Sequence, residues 1–288
     1  MDTSTYLFRN FVMIPPTIVL PGTKQPANAL YGLLQTLARF VSHWKIERIV
    51  NVLDDVAADD ERIALEPAYK ATRREFPEGL ASQCVYLEEA LAAAGFASVI
   101  VKGWEADDVI GTVARLEHER KEPVRIVGID KDLLQVLQPG DAMIDYQRDK
   151  ERVVPYEEAN QVLGVAAERT ADFLALNGDS VDAIEGVPGV GKKTAALLVN
   201  ALGGIDRIYA NLDAVLEIEG LRGAPKVRAS LASNEAQARR ALTLATLKTN
   251  APVKLSEWRY RGTTEEGRRV LREKFGFERL SERLPRAD

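Results

Sequence analysis

Short β-branched runs in this chain repeatedly end in clusters of carboxylates, and that repetition limits both the fold and its use. Arg48 to Leu53 (RIVNVL) runs into Asp54 and Asp55, and Val124 to Ile129 (VRIVGI) runs into Asp130, Lys131 and Asp132. Ser98 to Lys102 (SVIVK) leads through Gly103 and Trp104 to Glu105, Asp107 and Asp108. After it, apolar Val109, Ile110, Val113 and Leu116 recur at helical spacing. The stretch therefore reads β-α-β, the signature of a mostly parallel sheet. Glu105 stands at the helix entrance with Asp107 and Asp108 in its first turn, where the helix dipole favours negative charge. A well-capped surface helix would explain that cluster alone, but not its recurrence at other strand ends. In an open α/β sheet, ligands bind outside the carboxyl ends of the strands, so these acids converge on one rim. Carboxylates packed together raise one another's pKa unless cations neutralise them. Oxygen donors without His or Cys suit Mg²⁺ or Mn²⁺ rather than zinc. The rim reads as a divalent-metal site of the two-metal kind that hydrolyses phosphodiesters.

Composition removes most rivals. The only histidines, His43 and His118, lie on helix-like stretches, so neither a His-centred triad nor a His-rich metal site is expected. The lone cysteine, Cys84, allows no internal disulfide, and a cytoplasmic location is the default expectation. No apolar run approaches the roughly 20 residues that span a bilayer, and no basic-then-apolar signal segment opens the chain, so no membrane partner is expected. Charge is divided unevenly along the 288 residues: Met1 to Glu185 holds 19 Lys and Arg against 31 Asp and Glu, and Gly186 to Asp288 holds 19 against 12. An acidic half joined to a basic half suits a polyanion gripped by one part and cut by the other, though ordinary surface solvation produces such asymmetry too.

Along the chain, Asp2 stands almost at the first residue, residues 15–26 form a Pro- and Gly-rich loop, and residues 27–44 form an amphipathic helix with Leu30, Leu33, Leu34, Leu37 and Phe40 on one face. Residues 55–76 are highly charged. Arg62, Lys70, Arg73 and Arg74 stand there around Tyr69, as in a loop that closes over a phosphate backbone or, more plainly, a solvated surface loop. A helix over 77–94 ends at Gly95, a short helix follows Asp132, and Ala142 to Tyr146 is a further strand. From about Val153 only helices are expected, beginning with 153–163 and 169–176. The division is a catalytic domain over 1–152, with the basic segment at 55–76, and a helical domain over 153–288.

Asn177 to Ala195 (NGDSVDAIEGVPGVGKKTA) is the second informative stretch. Gly186, Gly189 and Gly191 let backbone approach a ligand, and Lys192, Lys193 and Thr194 open a helix whose free N–H groups attract phosphate. A nucleotide-binding P-loop is the rival. It fails at Lys193, where a magnesium-binding hydroxyl is required, and the preceding TADFLALNG is helical in pattern where a strand is needed. A helix-hairpin-helix type of turn over about 177–202, gripping a nucleic-acid backbone through main-chain amides, fits better.

The segments YLFRNF, PANALYGLL, EPAYKATRR, FPEGL, GWEADDVIGTVA, DKDLLQVL, DFLALNGDSVDAIEGVPGVGKKTA and LATLKT occur in this order and cover nearly the whole chain. In them the sequence resembles the 5′ nuclease family: the 5′-3′ exonuclease domain of bacterial DNA polymerase I, phage 5′ exonucleases and flap endonucleases. The resemblance implies an α/β, PIN-like, mostly parallel sheet flanked by helices, followed by an all-helical helix-three-turn-helix domain. It places the family's metal carboxylates on Asp2, Asp54, Glu105, Asp107, Asp108, Asp130, Asp132, Asp179 and Asp182, and the phosphate-polarising Lys and Arg of its arch on Lys70 and Arg73. It implies DNA contacts by Arg9, Arg62, Tyr69, Gly186, Gly189, Gly191, Lys192, Lys193 and Thr194. Two Mg²⁺ ions are the implied cofactors, with Mn²⁺ as substitute and K⁺ at the turn. The implied partner is DNA with a 5′ end or flap, or an RNA·DNA hybrid, bound by a monomer.

The chain departs from the family pattern at Gly128 and Ile129, where Ser-Gly is usual before the aspartate, and at Ala183, Ile184 and Glu185, where Asn-Ile-Pro is usual. Such neighbours of metal ligands can slow catalysis without removing a ligand. Only Met1 precedes Asp2, where the family carries a buried apolar strand, so Asp2 is expected on a frayed terminus of a poorly stable, weakly active chain. The end near Asp288 reads as that of a free-standing nuclease. A structure-specific 5′ nuclease is the leading expectation, and a catalytically impaired DNA-binding protein on the same fold is its rival.

Overall fold

The computed structural model describes residues 1–55, 60–71, 77–146, 150–256 and 258–287. Asp2 caps the first helix, α1 (Thr3–Met13), its carboxylate accepting from Thr5 N at 3.1 Å. In α2 (Asn28–Trp44) the expected apolar face is buried. Then come β1 (Val50–Leu53), α3 (Asp60–Leu65), α4 (Glu78–Cys84), α5 (Leu87–Ala93), β2 (Ala97–Ile100) and α6 (Ala106–Glu119). The single helix expected over 77–94 is thus two, with a break that leaves Val85 in solvent and turns Leu87 and Leu91 onto the core. β3 (Arg125–Val127) leads into a 3₁₀ turn (Lys131–Val136), and β4 (Ala142–Tyr146) pairs antiparallel with β5 (Glu151–Pro155). That hairpin corrects the expectation that strands stop at Val153: Val153 and Val154 resemble the start of an apolar helix face, but their partners are Ile144 and Met143 across the ladder. Helical structure resumes with α7 (Asn160–Leu163).

The sheet consists of two pieces, β2 beside β1 in parallel and β3–β4–β5, and the first two residues join them. Met1 donates its amine to Val50 O at 2.8 Å and accepts from Val52 N at 3.0 Å, while Asp2 N donates to Val127 O at 2.8 Å. Asp2 also forms a parallel bridge with Val52 and is 4% exposed. The frayed terminus expected for Asp2 is therefore not what the structure shows: backbone bonds from the first two residues to strands on either side, two to β1 and one to β3, hold it in the middle of the sheet. Residues of β1 and β3 also line a cavity of about 240 Å³, together with Met1, Ile49, Ile110 and Val124.

The helical part comprises α8 (Thr170–Asn177), α9 (Lys192–Leu202), α10 (Ile205–Ala210), α11 (Ala224–Ser233) and α12 (Glu235–Ala245). The chain then returns. Residues 246–251 lie along α6, where Asp108 accepts from Lys248 N at 2.8 Å, Thr112 Oγ1 accepts from Ala251 N at 3.0 Å, and Arg115 Nε donates to Thr249 O at 2.8 Å. The last helices, α13 (Glu265–Glu273) and α14 (Glu278–Arg283), bury Leu271, Phe275, Phe277, Leu280 and Leu284 in the same core as α2 and α5. The two structural parts thus differ from the contiguous division at residue 152, because the final helices complete the core begun by α2. Phe277 meets Tyr31 edge-on at 5.3 Å and is 1% exposed. Phe277→Ala should lower stability by about 3–5 kcal/mol in urea unfolding, with loss of hydrogen-exchange protection in α2. Unchanged protection there would show that the last helices are not part of that core.

Candidate metal centre and duplex-binding turn

Each carboxylate on the rim is placed by a local feature of the backbone. Asp54 follows β1 directly, and its Oδ1 accepts from Ala106 N at 2.8 Å, which ties it to the entrance of α6. Glu105 is the N-cap residue of α6, and Asp107 and Asp108 occupy its first turn. Asp130 begins the 3₁₀ turn after β3 and accepts from Asp132 N at 3.1 Å. Asp179 and Asp182 lie in the turn after α8, closed by a two-residue bridge between Asp179 and Ile184.

The side chains form two adjoining groups. Oxygens of Asp132, Asp179 and Asp182, all buried, lie within 4.8 Å of one another. Lys131 is inserted there, pairing with Asp179 and standing 3.4 Å from Asp132. Beside this group the Lys70 ammonium lies 3.0 Å from Glu105, 3.7 Å from Asp107 and 3.9 Å from Asp182. Burial pushes the Asp2 carboxyl up, partly offset by its Thr5 hydrogen bonds, and Asp54 and Asp130 push it further. Burial likewise raises Asp107 well above the usual range against the pull of Lys70, with Asp130, Asp2 and Asp54 adding to the rise. These shifts tie Asp2, Asp54, Asp107 and Asp130 to one electrostatic centre. Burial and then Asp130 push Asp132 up to about 7. Burial opposes the charge on Lys70, but Asp107 and Glu105 outweigh it and hold the ammonium charged.

Hard oxygen donors without His or Cys fit a divalent cation of the Mg²⁺ or Mn²⁺ type. A local observation agrees: Asp132 Oδ1 is buried with no hydrogen-bond donor among the described residues, and only the Lys131 ammonium approaches it.

Not every expected residue joins this centre. Asp108 is 1% exposed and turned away, gripped by Arg62 through both oxygens at 2.9 Å. Arg62 and Tyr69, expected on DNA, are buried instead: Arg62 is 2% exposed, and Tyr69 donates its hydroxyl to Glu105 at 3.1 Å. Their charged partners draw them inward, so neither presents a surface to a phosphate backbone. Arg9 lies on α1 and pairs with Asp145 at 2.9 Å. Arg73 lies outside the described residues. The role of Lys131 escaped sequence reasoning, although its position between Asp130 and Asp132 was the available signal.

The glycine-rich turn is closely built. A side chain on Gly186 would meet Gly178 N and Asn177 C at 2.4 Å, and Gly189 has φ of 78°, so glycine is required at both. Pro188 O accepts from Ser230 at 2.6 Å and Gly186 O accepts from Gln237 at 2.7 Å, which seats the turn on α11 and α12. Gly191 caps α9, and Lys192 and Lys193 are exposed at its first turn with Thr194 half-buried beside them. A cleft of about 620 Å³ separates this turn from the basic segment, with Glu66 and Ala68 on one wall and Lys131, Asp179 and Gly186 on the other.

Comparison with known proteins bears on the family and the fold. Residues 1–164 match the 5′-3′ exonuclease N-terminal resolvase-like domain, and residues 165–266 match the 5′-3′ exonuclease C-terminal SAM fold. This chain belongs to the 5′-3′ exonuclease family. Among relatives of this 5′-3′ exonuclease family member, DNA polymerase I of Pseudomonas aeruginosa is 37% identical over 251 residues, 87% of this chain and 27% of the polymerase. A 5′-3′ exonuclease of Mycobacterium tuberculosis is 32% identical over 277 residues, 89% of this chain and 85% of its own. The chain thus spans about a quarter of the polymerase relative and most of the exonuclease relative. In fold it is similar to the T5 5′-exonuclease (TM-score 0.66, 22% identity, 86% of this chain and 88% of that one) and to the catalytic core of Rad2 (TM-score 0.66, 13% identity, 98% and 89%).

Two outcomes follow from the geometry. Ala183, where the family usually has Asn, is held at φ of 56°, a left-handed conformation that Cβ disfavours. Ala183→Gly should therefore raise stability by about 1 kcal/mol in denaturant unfolding, and a loss of stability would show that the turn is not strained. The second concerns protons. Asp132 binds a proton more tightly folded than unfolded, so through this group the metal-free protein loses stability as pH rises from the ordinary carboxylate range toward about 7. A divalent cation must displace that proton. Calorimetry in buffers of different ionisation enthalpy should show proton release on Mn²⁺ binding near pH 6, declining by about pH 8.5 as Asp132 becomes fully ionised. Binding without proton release near pH 6 would remove Asp132 from the ligand set.

Proposed function

We propose that this chain is a divalent-metal-dependent, structure-specific 5′ nuclease that hydrolyses phosphodiester bonds in DNA bearing a 5′ end or flap. The observation that carries the reading is the convergence of Asp2, Asp54, Glu105, Asp107, Asp130, Asp132, Asp179 and Asp182, from separated parts of the chain, beside a glycine-built turn with exposed Lys192 and Lys193. Family membership supports it, as does the likeness to T5 5′-exonuclease, described with bound zinc, and to the Rad2 core, described with DNA substrate.

In this reading Asp2, Asp54, Asp107 and Asp130 would hold one cation and Asp132, Asp179 and Asp182 a second, with Glu105 beside Lys70 available to either. Two Mg²⁺ ions, or Mn²⁺ in their place, would lower the pKa of a bound water and offset charge on the leaving oxygen. Lys70 holds the scissile phosphate: its ammonium is kept charged by Glu105 and Asp107 and is placed by the bond from Lys70 N to Asp182 O at 3.0 Å. Arg73, outside the described residues, would share this role. The N-terminus of α9, with Gly186, Gly189, Gly191, Lys192, Lys193 and Thr194, grips the duplex backbone through amides and ammonium groups without reading bases. Carbonyls of the same turn would hold K⁺. A monomer acts on flaps, free 5′ ends and the RNA strand of hybrids.

The test has two arms. Asp130→Asn should abolish Mg²⁺-dependent cleavage of a 5′-flap duplex while leaving duplex affinity within a few-fold, and EDTA should do the same to the parent. Lys192→Ala with Lys193→Ala should weaken binding to every duplex sequence alike and reduce the slope of log K against log salt by about two. Undiminished turnover in EDTA would sink the metal reading. A changed sequence preference with an unaltered salt slope would replace backbone grip by base reading.

A further inference from the structure

One buried guanidinium joins the basic segment, the carboxylate rim and the helical part. Arg62 lies on α3; its Nη1 donates to Glu105 Oε2 at 2.8 Å and to Asp108 Oδ2 at 2.9 Å, and its Nη2 donates to Asp108 Oδ1 at 2.9 Å and to Thr246 O at 2.8 Å. Asp108 Oδ1 also accepts from Lys248 N, and Lys248 Nζ pairs with Glu61 at 2.9 Å, one residue before Arg62. The Tyr69 ring lies 5.8 Å from the guanidinium.

A buried charge persists only where its partners match it in geometry as well as sign. The planar fork of arginine does so here, grasping Asp108 through two parallel bonds and using its remaining reach on Glu105 and Thr246. The consequence falls on Glu105. Arg62 Nη1, Tyr69 OH at 3.1 Å and Lys70 Nζ at 3.0 Å all converge on Oε2, and among the described residues no donor reaches Oε1. The carboxylate is fixed in one rotation, with one oxygen anchored and the other left for a cation. The same contacts fix the stretch carrying Lys70 relative to Glu105.

We infer that Arg62 is a positioning residue of the metal centre: it orients Glu105 for cation ligation and sets the reach of Lys70, and it does not touch DNA. The inference rests on the metal reading of Glu105. Lysine cannot replace it, because a point ammonium can satisfy Glu105 or Asp108 but cannot span both carboxylates and the Thr246 carbonyl.

Arg62→Lys and Arg62→Met are compared with the parent by Mn²⁺ binding followed by electron paramagnetic resonance, flap-duplex affinity across salt, thermal unfolding, and kcat and KM on the same duplex. If Arg62→Met fails to fold, Arg62→Lys retains the buried charge and carries the test. The expected result for Arg62→Lys is a 10- to 100-fold weaker Mn²⁺ midpoint and a comparable fall in kcat. Turnover should be partly restored by excess Mn²⁺, with KM and the salt slope as in the parent. An unchanged Mn²⁺ midpoint with a raised KM and a flatter salt slope would make Arg62 a DNA contact and overturn the proposal. A lowered melting temperature with parental midpoint and kcat would make it merely structural and overturn it equally. The parent's own Mn²⁺ titration reports on the metal reading separately: no saturable binding there ends that reading whatever the variants do.

Discussion

Crowding of negative charge is the constraint on which the rest of the molecule turns. Asp132, Asp179 and Asp182 share a few ångströms of buried space, and Asp107 is raised by burial, with Asp130, Asp2 and Asp54 adding to the rise. Such a set is expensive to keep ionised out of water, so a fold that builds it must supply counter-charge. This chain does so at graded depth. Arg62 is buried beneath the rim, Lys70 and Lys131 are inserted among the carboxylates, and the amides of Ala106 at the start of α6 and of Asp132 in the 3₁₀ turn donate to Asp54 and Asp130. The deepest cation is a guanidinium with fixed partners. The shallower ones are ammonium groups on flexible stems, which a metal or a phosphate can displace or recruit.

The centre of the sheet answers a second constraint. Asp2 must be held against Asp54 and Asp130, which follow β1 and β3, and those strands belong to separate pieces of sheet. Met1 and Asp2 close the gap with bonds to Val50, Val52 and Val127, so the ladder that joins the sheet also fixes a carboxylate of the site. The bond from Thr5 N to the Asp2 carboxylate then makes the same residue the cap of α1. Stability of the sheet and precision of the site are coupled through one aspartate.

Most of the fold was legible because its signals are local. The apolar face of α2 and the strand-then-acid pattern at Leu53, Lys102 and Val127 depend on near neighbours in sequence, and the structure places them as the sequence suggests. What was not legible depends on distant partners. β5 was missed because Val153 and Val154 find their places only against Ile144 and Met143. The return of α13 and α14 to the first core was missed because a helix rich in Arg and Glu does not announce which surface Leu271 and Phe275 will meet. Arg62 was read as a surface cation because it stands in a charged segment, and nothing within that segment reveals that Asp108 and Thr246 wait to receive it. At the site the residue types were readable and their division of labour was not: Asp107 and Asp108 are adjacent, yet one faces the rim and the other faces Arg62.

The described part of the basic segment, residues 60–71, is fastened at separate points to the helical part. Near its start, Arg62 reaches Thr246 and Glu61 pairs with Lys248; near its end, Lys70 N donates to Asp182 O, in the turn that also carries Asp179. Glu66 between them faces Arg240 at 3.9 Å. The residues that would grip a duplex and those that would meet the scissile phosphate therefore share supports. Lys70, with its φ of 47°, is held in a left-handed conformation, a backbone cost that the bond to Asp182 helps offset. A shift of the turn that carries Asp182 would move the Lys70 backbone with it, and with it the ammonium that stands between Glu105 and Asp107. The helical part and the charge on the acidic rim are thus linked by short, directional contacts.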